Sequence, residues 1–412
     1  MITPNYKRTK LACYTSYFTM SSIFCLPPLL FVTFHETYGI SYTLLGTLIL
    51  VNFFTQLGVD LIFTLFSKHF SVSKIVKVMP LITSLGLALY AVIPWLFPQI
   101  AYLGFVIGTV IFSVSAGLSE VLLSPVIAAI PSKNPQRDMS TLHSLYAFGV
   151  LTMVAISSLF LKFFGRENWM YLTLLLAALP VSASVLFMLS PIPDMTPSEA
   201  VANRSGAKKR IVGLALCAAC IFFGSCAENA MSNWISGYME KALHIDKTVG
   251  DILGVAMFAV LLGAMRIGYA KFGKKITPVL LIGMIGASVC YLIAGLSTHV
   301  YWAFAACILT GLFTSMLWPG TLIMMEENVE GAGVAAFALM AASGDLGASV
   351  APQLLGIVTD TVAASDYAAK LSTAGITPDQ IGMKIGMLVT AIFPILGVIA
   401  VLSAIFYFKK KK

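Results

Sequence analysis

Charge is what this sequence has least of. Asp, Glu, Lys and Arg together make up 11% of 412 residues, hydrophobic residues make up 58%, and the mean hydropathy is +0.89. A soluble domain carries roughly a quarter charged residues, and a chain this apolar could not cover its surface in water, so an integral membrane protein is expected. The net charge of +8 has no basic domain behind it, because Lys and Arg fall in short clusters between apolar runs. Nothing there can track phosphates, and no nucleic-acid partner is expected. The seven cysteines all lie inside apolar runs, which argues against a disulfide framework. Cys217 and Cys220 form a C-x-x-C with no second pair or nearby His to complete a metal site, so small-residue helix packing is the expected role. No H-E-x-x-H and no P-loop occurs. Neither a metal nor a cofactor is expected, and no enzyme. The first apolar run lacks an A-x-A cleavage site and many similar runs follow it, so it reads as a retained helix.

What is present is a series of runs long enough to span a bilayer, for which roughly 20 apolar residues suffice. Twelve are expected, near 11–34, 43–66, 75–97, 100–122, 141–164, 169–190, 211–238, 249–270, 277–297, 300–324, 333–358 and 385–408. With the N-terminus inside, the inner segments hold most of the basic residues: Lys7, Arg8, Lys10, Lys68, Lys74, Lys77, Lys133, Arg137, the run from Arg204 to Arg210, Lys271 to Lys275, and Lys409 to Lys412. The outer segments hold only Lys162, Arg166, Lys241, Lys247, Lys370 and Lys384. Both termini are therefore expected on the cytoplasmic side. The polar stretch "SPIPDMTPSEAVANRSGAKKR" reads as a linker. The expected organisation is an N-terminal six-helix bundle (1–190), a cytoplasmic linker (191–210) and a C-terminal six-helix bundle (211–412). The outer segment 365–382 reads equally as a short surface helix or a loop.

Six ionisable side chains fall inside the spans: Asp60, Glu120, His143, Glu228, Arg266 and Asp345. A charge at a helix centre costs about 2.5–3.5 kcal/mol on insertion scales, so these are expected to face a bundle interior or a watery cavity. The third, sixth, ninth and twelfth helices carry none. Asp60 and Arg266 lie toward the cytoplasmic ends of the second and eighth helices and read as gate or packing residues. Glu228 and Asp345 lie near mid-membrane. On the seventh helix Ser225, Asn229, Asn233 and Ser236 recur on one stripe with Glu228 beside it and Trp234 following. Amides and a carboxylate suit hydroxyls, and an aromatic ring suits the C–H face of a sugar. Interhelical hydrogen bonding is the alternative reading of the stripe. Trp318, before Pro319, is either a second aromatic wall or packing.

Two six-helix halves joined by an inner linker, with charge-free third, sixth, ninth and twelfth helices, resemble the major facilitator superfamily over the whole chain. "GLSEVLLSP" (117–125), "LHSLYAFG" (142–149), "AENAMSNWISGYM" (227–239), "AVLLGAMRIGYAKFG" (259–273) and "MAASGDLGASVAP" (340–352) resemble, in the matching helices, motifs of fucose-permease-like sugar/proton symporters of Gram-positive type. The sequence departs from that pattern in places. Ser124 stands where the family has Asn, and the basic signature after the second helix is reduced to Gly58, Asp60 and Lys68. The first helix has no acid between Leu11 and Phe34. The resemblance implies proton-coupled uptake of a sugar-like solute by alternating access, at the cell (inner) membrane, by a monomer. It implies Glu120 as the proton-coupling residue; His143 reads equally as an extension of a proton relay or as a satisfied polar histidine, and Asp345 and Glu228 are the candidates to replace the missing acid of the first helix. Glu228, Asn229, Asn233, Trp234, Tyr238, Tyr146 and Trp318 become solute-binding candidates, and Asp60 and Arg266 gate candidates. A proton-coupled exporter of drugs or organic ions on the same fold is the rival. "SGDLG" (343–347) resembles the G-x-G-D of intramembrane aspartyl proteases, but Ala342 stands where a Gly is required and no Tyr-Asp span accompanies it.

Overall fold

The computed structural model describes residues 5–66, 70–193, 207–273, 275–329, 334–372 and 375–409, with no side-chain description at 64, 65, 135–137, 140, 143, 146, 147, 207–209, 334 and 335. The described residues form helices and no strand. Eleven of the helical stretches are long and apolar enough to cross a membrane, and a shorter apolar stretch, Phe148–Phe164, accompanies them. Helices suit this composition because a backbone in hydrocarbon must satisfy its own polar groups.

The chain divides into two compact units, Met1–Ile40 with Val51–Pro197, and Ser41–Leu50 with Ser198–Lys412. The first contains α1 (Lys7–Tyr38), most of α2 (Tyr42–Phe66), α3 (Val72–Leu96), α4 (Ala101–Ala129), α5 (Pro135–Phe164) and α6 (Trp169–Met188). In it, α3 lies along α4 and α6, and α1 along α5 and α6. The α3–α4 approach rests on Gly86 and Gly108, where any Cβ would run into the backbone of Phe112 or Tyr90 on the facing helix. Small residues at such crossings let helices pack without a hydrophobic drive between them. One end of the unit is filled by aromatics: Phe34 stacks on Phe105 at 4.1 Å and meets Trp169 edge-on at 4.9 Å. Near the start of α1, Lys10 pairs with Asp138 of α5.

The second unit contains α7 (Ala207–Lys241), α8 (Lys247–Val249), a π-helical turn (Gly250–Ala256), α9 (Met257–Phe272), α10 (Ile276–Leu296), α11 (Val300–Thr314), α12 (Leu317–Asn328), α13 (Val334–Ala363), α14 (Asp366–Ser372), α15 (Pro378–Thr390) and α16 (Ile392–Lys409). α7 packs on α13 and α16, and α13 on α15. Cys217 and Cys220 are buried in its core with Met284, Leu317 and Val401. The run expected as one helix over 300–324 is broken at Ser315–Met316, and the last span joins α15 and α16 across Ala391. Within the segment 365–382, Asp366–Ser372 is helical and the next helix already begins at Pro378.

The start of α2 belongs to this second unit, and a side chain from α13 holds it there. The carboxylate of Asp360 accepts from the backbone N–H of Tyr42 (3.0 Å) and of Thr43 (2.6 Å). Those first-turn donors have no acceptor in their own helix, and a carboxylate there also meets the positive end of the helix dipole. The Tyr42 hydroxyl donates to Asp379 at 2.9 Å, and its ring meets Trp234 with centroids 5.9 Å apart.

Candidate functional site

In the second unit the stripe expected on α7 divides: Asn229 and Asn233 are partly exposed, while Ser225 and Ser236 are buried. Glu228, Asn229, Ser232 and Asn233 are partly exposed, while Ser225, Cys226, Ala230 and Met231 around them are buried. The amides are oriented by their own helix. Asn229 Nδ2 donates to Ser225 O (3.1 Å) and Ser225 Oγ (3.2 Å), and Asn233 Nδ2 donates to Asn229 O (2.8 Å). Those bonds fix both amides against their own helix turn, and Asn233 keeps a second N–H that they do not use. Beside them stands the Glu228 carboxylate. The face therefore presents amides, a hydroxyl (Ser232) and a carboxylate together.

Its charge is cancelled from α9. Arg266 Nη2 lies 3.4 Å from Glu228 Oε1, with 41% of the Arg266 side chain and 20% of the Glu228 side chain exposed. Arg266 Nε also donates to Ser315 O at 2.8 Å. That carbonyl is free for a local reason: its partner in an α-helix would be the N–H four residues on, and residue 319 is proline. Pro319 thus creates the acceptor that aims the guanidinium at Glu228. The sequence suggests no link between Arg266 and Glu228; the structure makes them one ion pair.

Other expected members fall elsewhere. Trp234 is 1% exposed and donates through Nε1 to Pro352 O at 3.0 Å, and Tyr238 is fully buried with its hydroxyl on Ala294 O. These two of the four aromatics expected to touch solute are thus spent on packing and backbone carbonyls, because helical spacing carries them onto the core face of α7. Ser236, expected on the polar stripe, is buried and bonded to Asp251. Trp318 is partly buried, and its ring lies over Gly344, leaving no room for a Cβ there. The next residue, Asp345, is buried on α13.

In the first unit, Asp60 and Glu120 lie on the adjacent helices α2 and α4. Gly117 of α4 packs against α2, where a Cβ would stand 3.3 Å from Gln56 Cα and 3.0 Å from Val59 Cβ. Asp60 and Tyr17 both lie within electrostatic reach of Glu120. Above them runs a ladder that the sequence reading passed over: Ser113 Oγ donates to Asn52 Oδ1 (2.6 Å), which also accepts from Gln56 Nε2 (3.0 Å). Asn52, Gln56 and Asp60 recur every four residues, so the spacing carried that signal. His143 and Tyr146 belong to α5, and their side chains lie outside the described residues.

A helical chain whose apolar spans enclose oriented amides and paired charges is a multi-pass membrane protein of the transporter class. The model of the Major Facilitator Superfamily matches residues 12–352 and 217–412, and the chain belongs to that family. It is a secondary transporter, not an enzyme. No curated protein matches the sequence significantly. Among solved structures it is similar to a bacterial homolog of the human lysosomal transporter Spinster in an inward-facing and occupied conformation, at 13% identity and TM-score 0.75 over 99% of each chain. It is also similar to a D-xylose-proton symporter, at 13% identity and TM-score 0.74 over 94% of this chain and 96% of that one. The nucleoside transporter NupG matches at 14% identity and TM-score 0.67, over 97% of this chain and 98% of its own. At these identities the likeness carries the fold alone.

Proposed function

We propose that the protein is a cell-membrane importer of a neutral, hydroxyl-rich solute such as a sugar, driven by protons through alternating access, and of the fucose-permease-like subfamily. The observation that carries this reading is the polar, charge-paired face of α7, with Glu228, Asn229, Ser232 and Asn233 partly exposed on it. The amides of Asn229 and Asn233 hydrogen-bond to hydroxyls of the solute, and the Glu228 carboxylate accepts alongside them. Arg266 removes the net negative charge that would draw an organic cation. The named substrates of two structurally similar proteins, a pentose and nucleosides, bear hydroxyls too.

In this reading residues 1–190 and 211–412 are the two moving bundles, 191–210 is the linker, both termini are cytoplasmic, and the protein works as a monomer. Glu120 carries the proton, assisted by Asp345 and His143. Trp318 and Tyr146 supply apolar contact to the solute. A carboxylate suits this role because neutralisation by a proton lets it enter a dry, closed state.

The test is thermal stability of the detergent-purified protein against neutral sugars, nucleosides and lipophilic cations, at acidic and neutral pH. A binder at 100 times its dissociation constant stabilises by about 2.7 kcal/mol. A sugar or nucleoside that stabilises the wild type by about 1 kcal/mol more than it stabilises Asn233→Ala supports the proposal. Stabilisation confined to lipophilic cations overturns it and makes the protein an exporter of organic ions.

A further inference from the structure

Lys247 sits between two spans in the sequence and reads as an outer-loop charge, yet it is 7% exposed, and Asp251, four residues on, is 1% exposed. Lys247 Nζ lies 3.2 Å from Asp251 Oδ2, and both groups close on Ser236 of α7: Asp251 Oδ1 accepts from Ser236 Oγ at 2.5 Å, and Lys247 Nζ donates to the same hydroxyl at 3.0 Å. Burying two charges is unfavourable unless they are paired and fully bonded, and such pairs are best attested where they fix a register. Here the pair straddles the start of the π-helical turn Gly250–Ala256. That turn lies against α7, with Gly250 and Gly254 both facing Met239 so closely that a Cβ on Gly254 would overlap its sulfur.

A π turn holds one residue more than an α turn, so everything beyond it is rotated by about one residue, ~100°, relative to an unbroken α-helix. Arg266 lies beyond it. Were the segment from Lys247 to Phe272 wound entirely as α-helix, Met265 would take the direction Arg266 now has. Met265 now packs against the hydrophobic core of the unit. The two hydrogen-bonding contacts of Arg266, to Glu228 and to Ser315 O, therefore require the extra residue to be absorbed upstream.

We infer that Lys247, Asp251 and Ser236 are positioning residues: they pin the π turn, and the π turn sets the register that presents Arg266 to Glu228. The consequence for transport rests on the solute face proposed above, since the register decides whether that face is neutral or negative. The register itself does not depend on any solute, so it is tested without one.

The experiment is a double-mutant cycle between Glu228→Gln and Arg266→Gln, read by thermal unfolding of the full-length protein in detergent. It is run in the wild type, in a neutral-lock variant (Lys247→Met with Asp251→Leu), and in the neutral lock with Leu253 also deleted. The wild type should show coupling between Glu228 and Arg266, and the neutral lock should lose it. Deleting one residue from the turn lets a plain α-helix deliver Arg266 in its original register, so coupling should return. A neutral lock with undiminished coupling overturns the inference. So does a deletion variant that folds without regaining it. Should the neutral lock alone fail to fold, the deletion variant, which has no π turn to hold, decides the matter by the same criterion. A failed solute screen with this pattern intact would remove the proposed substrate class and leave the register argument standing.

Discussion

Removing the carboxylate of Asp360 tests whether one side chain of α13 fastens the first turn of α2. Two backbone N–H groups depend on it, at 3.0 and 2.6 Å, and both belong to the turn that has no internal acceptors. A neutral cap lost to alanine costs about 1 kcal/mol, and a bond to a charged acceptor is worth about 1.5–3 kcal/mol. Water can replace part of this at a half-buried position. Asp360→Ala should therefore destabilise the start of α2 by about 2–3 kcal/mol, and Asp360→Asn, which keeps one acceptor, by about half as much. Hydrogen exchange resolves the effect locally. Amides at the start of α2 should exchange about thirty-fold faster or more in Asp360→Ala, while those of α10 keep their rates. Tyr42→Phe removes the neighbouring bond to Asp379 and should add a smaller increment at the same amides. Unchanged exchange at the start of α2 in Asp360→Ala would refute the reasoning, because it would mean that water serves those donors equally well.

Other outcomes follow from the geometry of the second unit. Trp234→Phe should lower stability by about 1 kcal/mol through loss of the bond to Pro352 O while leaving solute affinity unchanged, as a thermal-shift titration would report. Asn233→Ala should do the reverse, weakening solute binding up to about tenfold with little change in melting temperature. Gly347→Ala places a Cβ against the backbone of Phe222 at the α7–α13 crossing and should destabilise by about 1–3 kcal/mol in denaturation experiments. Arg266→Lys keeps the charge but has no second nitrogen to hold both Glu228 and Ser315 O; it should behave as a partial loss in the Glu228 coupling measurement rather than as wild type.

The spans were legible because hydrocarbon imposes a length and an apolar composition that few sequences meet by chance. The α7 stripe was legible because Ser225, Asn229 and Asn233 follow the helical period. What lay inside the helices was less so. The breaks at Ser315–Met316 and Ala391 leave hydropathy unaltered, and Pro319 announces a free carbonyl without saying which donor will find it. Trp234 and Tyr238 share α7 with the amides, yet their spacing turns them into the core, which a count of suitable residue types does not reveal. Lys247 looks like a surface charge until the π turn draws it under α7. Pairing between distant residues, such as Arg266 with Glu228 or Ser113 with Asn52, is set by packing and has no counterpart in local sequence.

The burial of the cysteines has a practical consequence. Cys13, Cys217, Cys220, Cys226, Cys290 and Cys307 are closed off inside the helix packing, and Cys25 is only partly accessible. A thiol reagent can reach the buried six only when helices separate, so the rate at which the unmodified protein takes up label is a clock for those openings. Cys13 reports on the first unit and Cys217, Cys220, Cys226, Cys290 and Cys307 on the second. Mass spectrometry of the labelled peptides would time each unit separately, with no engineered probe.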